Sequence, residues 1–295
     1  MIGGVFVVGA LHLDVVVGAP HLPAIDETVI GQSVDCRFGG KGGNQAVAAA
    51  RFGASTAMAG RVGSDQFGRQ LLKELDGAGV DRTQVVVSDG KSGMSVAIVD
   101  SSGEYGAVIV SGANSAIDGQ MINVPESAGV VLLQNEIPEA ANVAVARQAG
   151  KQRTVILNAA PAHQVCPELL DRVDLLIVNR CEAEQLTGTR GAEMPEKLAA
   201  LGPPAVIATL GADGLILVRR DENDLRLTAN PVPVVSTHGA GDAFVGALAA
   251  EMARGKALES ALEFAQSAAA IHVSRKVENR NRIGRREVLA FMNDS

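Results

Sequence analysis

The stretch that decides the fold is STHGAGDAFVGALAA, residues 236–250, in which small residues precede an acid and an apolar helix pattern. Gly239, Ala240 and Gly241 leave backbone amides uncovered at the positive end of that helix, and Asp242 lies in its first turn. Such amides can stabilise the charge on a transferred phosphoryl group, and the carboxylate can accept the proton of an attacking hydroxyl. The pattern favours phosphoryl transfer. The alternative is that Asp242 only caps the helix.

A second glycine-rich stretch, FGGKGGNQAVAAARFGA at residues 38–54, also runs into a helix pattern. Glycines at this density indicate a tight turn or a ligand that approaches the backbone closely. The stretch is not a dinucleotide fingerprint, because Gln45 stands where the third glycine should follow Gly40 and Gly42. The GKS sequence at residues 90–92 likewise lacks the first glycine of a P-loop. The sequence therefore lacks the main motif that would indicate a nicotinamide-dependent oxidoreductase.

Short runs rich in valine and isoleucine alternate with helix patterns along the chain. The runs have the composition of buried parallel strands and lie at residues 5–8, 130–133, 155–157, 175–178 and 206–208. One helix pattern covers residues 67–75 behind a Ser64 cap, and another covers 244–252 after Asp242. This alternation predicts an α/β fold with a mostly parallel central sheet.

Two regions, residues 13–38 and 92–110, interrupt the alternation. In the second region, SVAIVD and AVIV flank an SSGEYG turn and predict a β-hairpin. We interpret both regions as a small β-sheet lid inserted into the α/β series. Since neither a linker nor a repeat divides the sequence, residues 1–295 are expected to form a single domain.

Composition and charge disfavour several kinds of partner, site and location. The net charge of −7 and the scattered basic residues disfavour binding to nucleic acid. Three widely spaced cysteines indicate neither a disulfide framework nor a zinc site. The apolar start of the chain lacks a basic flank and is interrupted by His12 and Asp14, which disfavours a signal peptide or membrane span. A cytoplasmic protein is expected.

Taken together, the motifs resemble those of the ribokinase-like family of sugar and nucleoside kinases, also called the phosphofructokinase-B family. The resemblance covers nearly the whole chain, and the ribose-phosphorylating members look closest. Five segments match in order: GGKGGNQA at 39–46, NAAPA at 158–162, VNRCEAEQLTG at 178–188, TLGADG at 209–214 and the stretch at 236–242. Five ordered matches are far more specific than one glycine loop.

The resemblance implies a three-layer α/β/α fold and an enzyme that uses ATP and Mg²⁺. It makes Asp242 the general base and the amides of residues 239–241 an anion hole. Asn179 and Glu182 match the family's Asn-x-x-Glu element, which implies that Asn179 lies near the ATP phosphates and that Glu182 organises the magnesium shell, largely through water. Thr209, Gly211 and Gly214 are implied to line the nucleotide. The sugar pocket is implied to include His12, Asp14, Gly40, Lys41, Gly42, Asn44 and Glu136.

Three departures from the family pattern affect the substrate and cation expectations. His12 replaces an asparagine in the sugar pocket. Ser236 replaces the commoner aspartate, and KVENRNR at 276–282 replaces a loop of small residues; these positions help bind an activating potassium ion in the family. Arg280 or Arg282 could place a guanidinium near that site, so we expect activity to depend little on potassium.

The expected reaction is transfer of the γ-phosphoryl group of ATP to the terminal hydroxymethyl oxygen of ribose or a related pentose. The alternatives within the family are a nucleoside kinase and a ketosugar-acid kinase, and a sugar or nucleotide sensor without catalysis remains a rival. The exposed strands of the lid are expected to pair with a second copy and form a homodimer.

Overall fold

The computed structural model describes residues 3–102, 104–220 and 222–294. Within these residues the large sheet contains nine strands: β1 (Gly4–Val8), β4 (Thr56–Gly63), β5 (Asp81–Ser88), β8 (Ala128–Gln134), β9 (Thr154–Asn158), β10 (Leu175–Asn179), β11 (Ala205–Thr209), β12 (Leu215–Arg219) and β13 (Leu225–Leu227). The strand order is β13-β12-β11-β10-β9-β8-β1-β4-β5, and the seven strands from β11 to β5 run parallel to one another. The predicted buried strands are confirmed.

Helices cover both faces of this sheet. They are α1 (Lys41–Arg51), α2 (Gln66–Gly77), α3 (Glu139–Ala149), α4 (Pro167–Leu170), α5 (Arg180–Thr187), α6 (Met194–Ala199), α7 (Ala240–Ala253), α8 (Leu258–Ser274) and α9 (Arg285–Asp294). Side chains of β1 alternate between the two cores: Val5 and Val7 pack with α1, α2 and α7 to α9, whereas Phe6 and Val8 pack with α3 to α6. The α/β/α layering is thereby confirmed. None of the described helices has the length and apolarity needed to span a membrane.

The start of α2 differs from the sequence prediction. Asp65, not Ser64, caps this helix, and its carboxylate accepts a hydrogen bond from the amide of Gly68 at 2.8 Å. Both residue types are good N-caps, so composition alone could not choose between neighbours. The same carboxylate also accepts hydrogen bonds from the amide and hydroxyl of Ser92, at 3.0 and 2.6 Å.

A smaller four-stranded sheet stands apart from the large one, with the order β3-β2-β6-β7. Its strands are β2 (His12–Gly18), β3 (Ser33–Gly39), β6 (Gly93–Val99) and β7 (Tyr105–Val110), so both regions predicted as β insertions contribute. Gly103, in the predicted hairpin turn, lies outside the described residues. At the base of this sheet the buried side chain of Asn114 bonds both the amide and the carbonyl of Leu11, at 3.0 and 2.9 Å.

Helices α1 and α7 touch through a glycine. A Cβ atom at Gly246 of α7 would lie 2.5 Å from the Cβ of Ala48 and 2.8 Å from the carbonyl oxygen of Gln45, both in α1. These distances are too short for any residue larger than glycine without movement of the backbone. The contact brings the first turns of the two helices together at one edge of the large sheet.

We expect Gly246→Ala to lower the free energy of unfolding by ~1–3 kcal/mol, because overpacking forces the two helices apart. Urea denaturation measures the change. The control is Gly77→Ala at the end of α2, where an added Cβ meets nothing within 4 Å. The control should leave stability unchanged or raise it slightly, since alanine is the better helix former. Wild-type stability of Gly246→Ala would contradict the close contact.

Candidate active site

The candidate site forms where parallel strands end and helices α1 and α7 begin. Asn179 and Thr209 are the last residues of β10 and β11, and Glu136 follows β8. Asp14 reaches the site from a different layer, because it lies within β2 of the small sheet. The carboxyl edge of a parallel sheet is the usual place for ligands in α/β folds. The predicted residues from distant parts of the chain thus meet at this edge.

Asp242 is held by two amide side chains of α1. Its Oδ2 accepts a hydrogen bond from Nδ2 of Asn44 at 3.2 Å, and its Oδ1 accepts one from Nε2 of Gln45 at 2.9 Å. The N-cap of α7 is Gly239, and no side chain provides a capping hydrogen bond there. The alternative that Asp242 only caps its helix is therefore wrong. The carboxylate is oriented from outside its own helix.

Gln45 contacts the candidate base Asp242, and its sequence pattern does not predict this contact. In the sequence it only breaks the dinucleotide fingerprint, yet in the structure its side chain is fully buried. Its Nε2 also donates to Oδ1 of Asn158 at 3.0 Å, and its Oε1 accepts from Nε2 of Gln134 at 2.9 Å. A buried amide network of this kind fixes the rotamer of each member. The sequence feature that could have indicated this role is a glutamine at position 45, within a helix pattern made otherwise mostly of small and apolar residues.

Residues 239–241, here called the anion loop, are the N-cap and the first two residues of α7. Gly239 has a φ of 73°, which glycine adopts without strain. Within the described part of the chain, the amides of Gly239 and Gly241 donate to no acceptor, whereas the amide of Ala240 donates to the carbonyl of Thr237 at 3.2 Å. Two of the three predicted anion-hole amides are thus free to bind an anion.

The anion loop borders a cavity of about 180 Å³ that several predicted residues share. Its lining includes Lys41, Asn179, Glu182, Thr209 and Asp242. Gly211 and Gly214, which were predicted to line the nucleotide, are not among the residues that border it. A Cβ at Gly214 would lie 1.9 Å from the carbonyl oxygen of Leu227, so this glycine serves the packing of β13.

Asn179 and Glu182 form a capping box at the start of α5. Oδ1 of Asn179 accepts the amide of Glu182 at 2.9 Å, and Oε2 of Glu182 accepts the amide of Asn179 at 2.7 Å. Burial raises the pKa of Glu182, and the charge of Asp242 adds to this effect, while the bond to Asn179 and the charge of Lys41 oppose it. Glu182 thus lines the same cavity as Lys41 and Asp242.

Glu136 is a buried carboxyl group on which the charges of two other carboxylates act. Its Oε2 accepts the amide of Lys41 at 2.6 Å. Burial raises the pKa of Glu136 to about 7, and the charges of Asp242 and Asp14 add to the rise, against the opposing effects of Lys41. Between the usual carboxyl pKa and about 7, the folded protein retains a proton that the unfolded chain releases. Stability from this group is thus lost as the pH rises through that window.

His12 and Asp14 enter the site from the small sheet. Oδ1 of Asp14 accepts the hydroxyl of Ser95 at 2.5 Å. His12 is 3% exposed, and its Nε2 has no hydrogen-bond partner in the described structure. Burial lowers the pKa of His12, although the charge of Asp14 acts in the opposite direction. A buried ring nitrogen without a partner is costly unless a ligand supplies one.

Gly40 and Gly42 pack closely against the chain that follows β1. A Cβ at Gly42 would lie 2.6 Å from the carbonyl carbon of Gly9, and one at Gly40 would lie 2.6 Å from the carbonyl oxygen of Ala10. The glycines therefore allow α1 to approach the chain after β1, and both are buried. Lys41 stands between these two glycines and Asn44 follows them. The side chains of both residues are partly exposed at the site.

Comparisons with known proteins agree with this geometry. The model of the pfkB family of carbohydrate kinases matches residues 4–280. Ribokinase of Haemophilus influenzae is 34% identical over 97% of this chain and 97% of its own length. Ribokinase of Bacillus subtilis is 36% identical over 90% of this chain and 92% of its own length.

Solved structures give the same result. Ribokinase of Arabidopsis thaliana, in complex with ribose and ATP, superimposes with a TM-score of 0.91 and 33% identity over 100% of both chains. Ribokinase of Thermotoga maritima gives a TM-score of 0.90 and 30% identity over 99% of both chains. The fold is therefore the ribokinase fold, and the activity is that of a phosphotransferase acting on a sugar hydroxyl. On this combined basis, the chain belongs to the pfkB family of carbohydrate kinases.

Proposed function

We propose that this kinase transfers the γ-phosphoryl group of ATP to the terminal hydroxymethyl oxygen of ribose or a related pentose. The observation that carries the proposal is the position of Asp242, held by two amide side chains next to the free amides of the anion loop. The ribose and ATP bound by the Arabidopsis relative support the choice of both substrates.

In the proposed reaction, Asp242 accepts the proton of the sugar hydroxyl as its oxygen attacks the γ-phosphorus. The new oxygen–phosphorus bond forms while the bond between that phosphorus and the β–γ bridging oxygen breaks, and ADP leaves with the bond's electron pair. The amides of Gly239 and Gly241 stabilise the charge that develops on the transferred group. Asn44 and Gln45 keep the carboxylate oriented for proton transfer.

Magnesium fits the donor set only as an ion that keeps much of its water. No group of three or more acidic, histidine or cysteine side chains suited to a metal occurs among the described residues. Glu182 uses Oε2 for the capping box and lines the cavity beside Asn179. These two residues would hold hydrated Mg²⁺, which prefers one or two carboxylates together with water and phosphate oxygens. When bound, the ion neutralises phosphate charge.

The function is tested by incubating the protein with ATP, Mg²⁺ and a panel of sugars and nucleosides, with release of ADP as the signal. We expect pentoses to be phosphorylated best, and product analysis should place the phosphate on the terminal hydroxymethyl oxygen. Phosphorylation of nucleosides alone would favour the nucleoside kinase alternative. Binding of sugar and ATP without ADP release would favour the sensor.

We expect Asp242→Asn to lower turnover by ~10²-fold or more, since the general base is lost, while substrate binding changes only a few-fold. Steady-state kinetics and equilibrium binding of ATP and sugar separate the two effects. The control is Glu263→Gln, which removes one exposed carboxylate from α8 and should leave both unchanged. Turnover near that of the wild type in Asp242→Asn would contradict its role as the base.

His12 is proposed to set the preference among pentoses and nucleosides. Its buried Nε2 has no hydrogen-bond partner among the described residues, so a hydroxyl or base of the ligand would supply one. An imidazole offers one donor and one acceptor, as an amide does, but its ring needs more room. His12→Asn should improve kcat/KM for ribose relative to the other substrates of the panel. The matched control, His163→Asn, changes an exposed histidine and should preserve the ranking. An unchanged ranking in His12→Asn would place residue 12 outside the pocket.

The small sheet is proposed to act as a lid that excludes water and as the contact of a homodimer. Apolar side chains on its strands are largely exposed: Val34 by 68%, Val108 by 67% and Ile109 by 58%. A second copy would cover them. We expect sedimentation to show a dimer, and a fully active monomer at all protein concentrations would contradict this.

We also propose a cytoplasmic location, where ATP is available and the three free cysteines stay reduced.

A further inference from the structure

Arg280 places a buried guanidinium among main-chain oxygens. It belongs to the 3₁₀ helix Val277–Arg282 and is 5% exposed. Its Nε donates to the carbonyl of Arg275 at 3.1 Å, and its two terminal nitrogens donate to the carbonyls of His238 and Ser236, at 2.8 and 2.7 Å. Among the residues that the structure describes, none forms an ion pair with Arg280. Carbonyl dipoles therefore take the place of a counter-ion.

Two of these carbonyls belong to the segment that leads directly into the anion loop. The carbonyl of His238 also accepts a hydrogen bond from Nε2 of His272 at 3.0 Å. Burial lowers the pKa of His272 to about 4, and the charge of Arg280 adds to this effect. The ring is therefore neutral near pH 7, with Nε2 as a donor. Side chains from α8 and the 3₁₀ helix thus fix the segment from one side.

The donor set does not fit the potassium ion that the family resemblance implies for this place. The guanidinium of Arg280 stands among the oxygens that would have to ligate the ion. Ser236 supplies no carboxylate, and its hydroxyl accepts the amide of His238 at 3.3 Å. The adjoining cavity of about 720 Å³ is lined by Arg37 and Arg51 together with Arg280, against the carboxylates of Glu74 and Asp242, so its charged side chains carry no net negative charge to attract a further cation.

We propose that Arg280 is a built-in cation that replaces the monovalent ion of this family, so that phosphoryl transfer proceeds without potassium. The inference rests on the proposed kinase function. Arg280 acts as a positioning residue, because it contacts the segment before the anion loop and not the loop's free amides. A fixed guanidinium holds the carbonyls of Ser236 and His238 at all times, which keeps the loop preorganised for the phosphoryl group.

The first experiment uses the unmodified protein. Potassium is replaced by tetramethylammonium at constant ionic strength, and turnover with ATP, Mg²⁺ and the best sugar is compared. We expect a change of less than about two-fold, whereas the loss of an activating ion would slow transfer by ten-fold or more, equivalent to ~1.4 kcal/mol. A ten-fold fall would overturn the proposal.

The second experiment removes the charge. Arg280→Met keeps the length of the side chain without the guanidinium, and Arg280→Lys keeps the positive charge. In tetramethylammonium, Arg280→Met should lose at least about ten-fold in kcat with little change in KM, and Arg280→Lys should retain more activity than Arg280→Met. Arg282→Met is the control, because this exposed arginine of the same 3₁₀ helix should be dispensable. Full turnover of Arg280→Met without potassium would overturn the proposal.

A third measurement does not depend on catalysis. The Tm of the wild-type protein should be equal in potassium chloride and tetramethylammonium chloride, since an ion that binds only the folded state raises Tm. A higher Tm in potassium chloride would overturn the proposal. If no sugar is phosphorylated, the proposed function fails, and this comparison still decides whether the folded protein binds potassium. If the Arg280 variants do not fold, the two wild-type comparisons decide it.

Discussion

The contact between α1 and α7 at Gly246 is the constraint on which the site depends. It lets the backbone of α1 come close enough for Asn44 and Gln45 to reach the carboxylate of Asp242 in α7. Gln45 continues the connection into the large sheet through Asn158. The geometry of the proposed base is therefore set by packing between two helices that lie far apart in sequence. A change of one methyl group at that contact would move both partners of the carboxylate.

Electrostatics at the site are unfavourable for folding and useful for chemistry. Burial raises the pKa of Glu136 to about 7, and the charges of Asp242 and Asp14 add to the rise. Like charges gathered in a partly buried cleft reduce stability and are typical of functional sites. Arg280 is buried among the carbonyls of the segment that precedes the anion loop. Negative groups thus gather at the candidate site, and a positive group holds the segment that leads into the anion loop.

Much of this arrangement could be predicted from the sequence, because strands and helices have periodic patterns and the segment around Asp242 is distinctive. The role of Gln45 could not, since a buried hydrogen bond depends on which helix packs alongside. The same limit applies to Gly40 and Gly42: a dense run of glycine shows that something approaches the backbone, but not whether it is a ligand or another part of the chain. At these two positions the chain after β1 makes such an approach. The cap of α2 fell one residue from its predicted position because serine and aspartate both serve as caps.

The attachment of the small sheet to the body determines where that sheet is able to deform. Asn114 bonds both main-chain groups of Leu11, just before β2, and Asp65 bonds the amide and hydroxyl of Ser92, just before β6. Breaking several partly buried hydrogen bonds of this kind costs about 1 kcal/mol or more for each. Rotation as a rigid flap about these two roots is therefore disfavoured. Any movement of the sheet will therefore be smallest at His12 and Gly93 and will grow toward the far ends of the strands, as the displacement does in a beam that is fixed at one end.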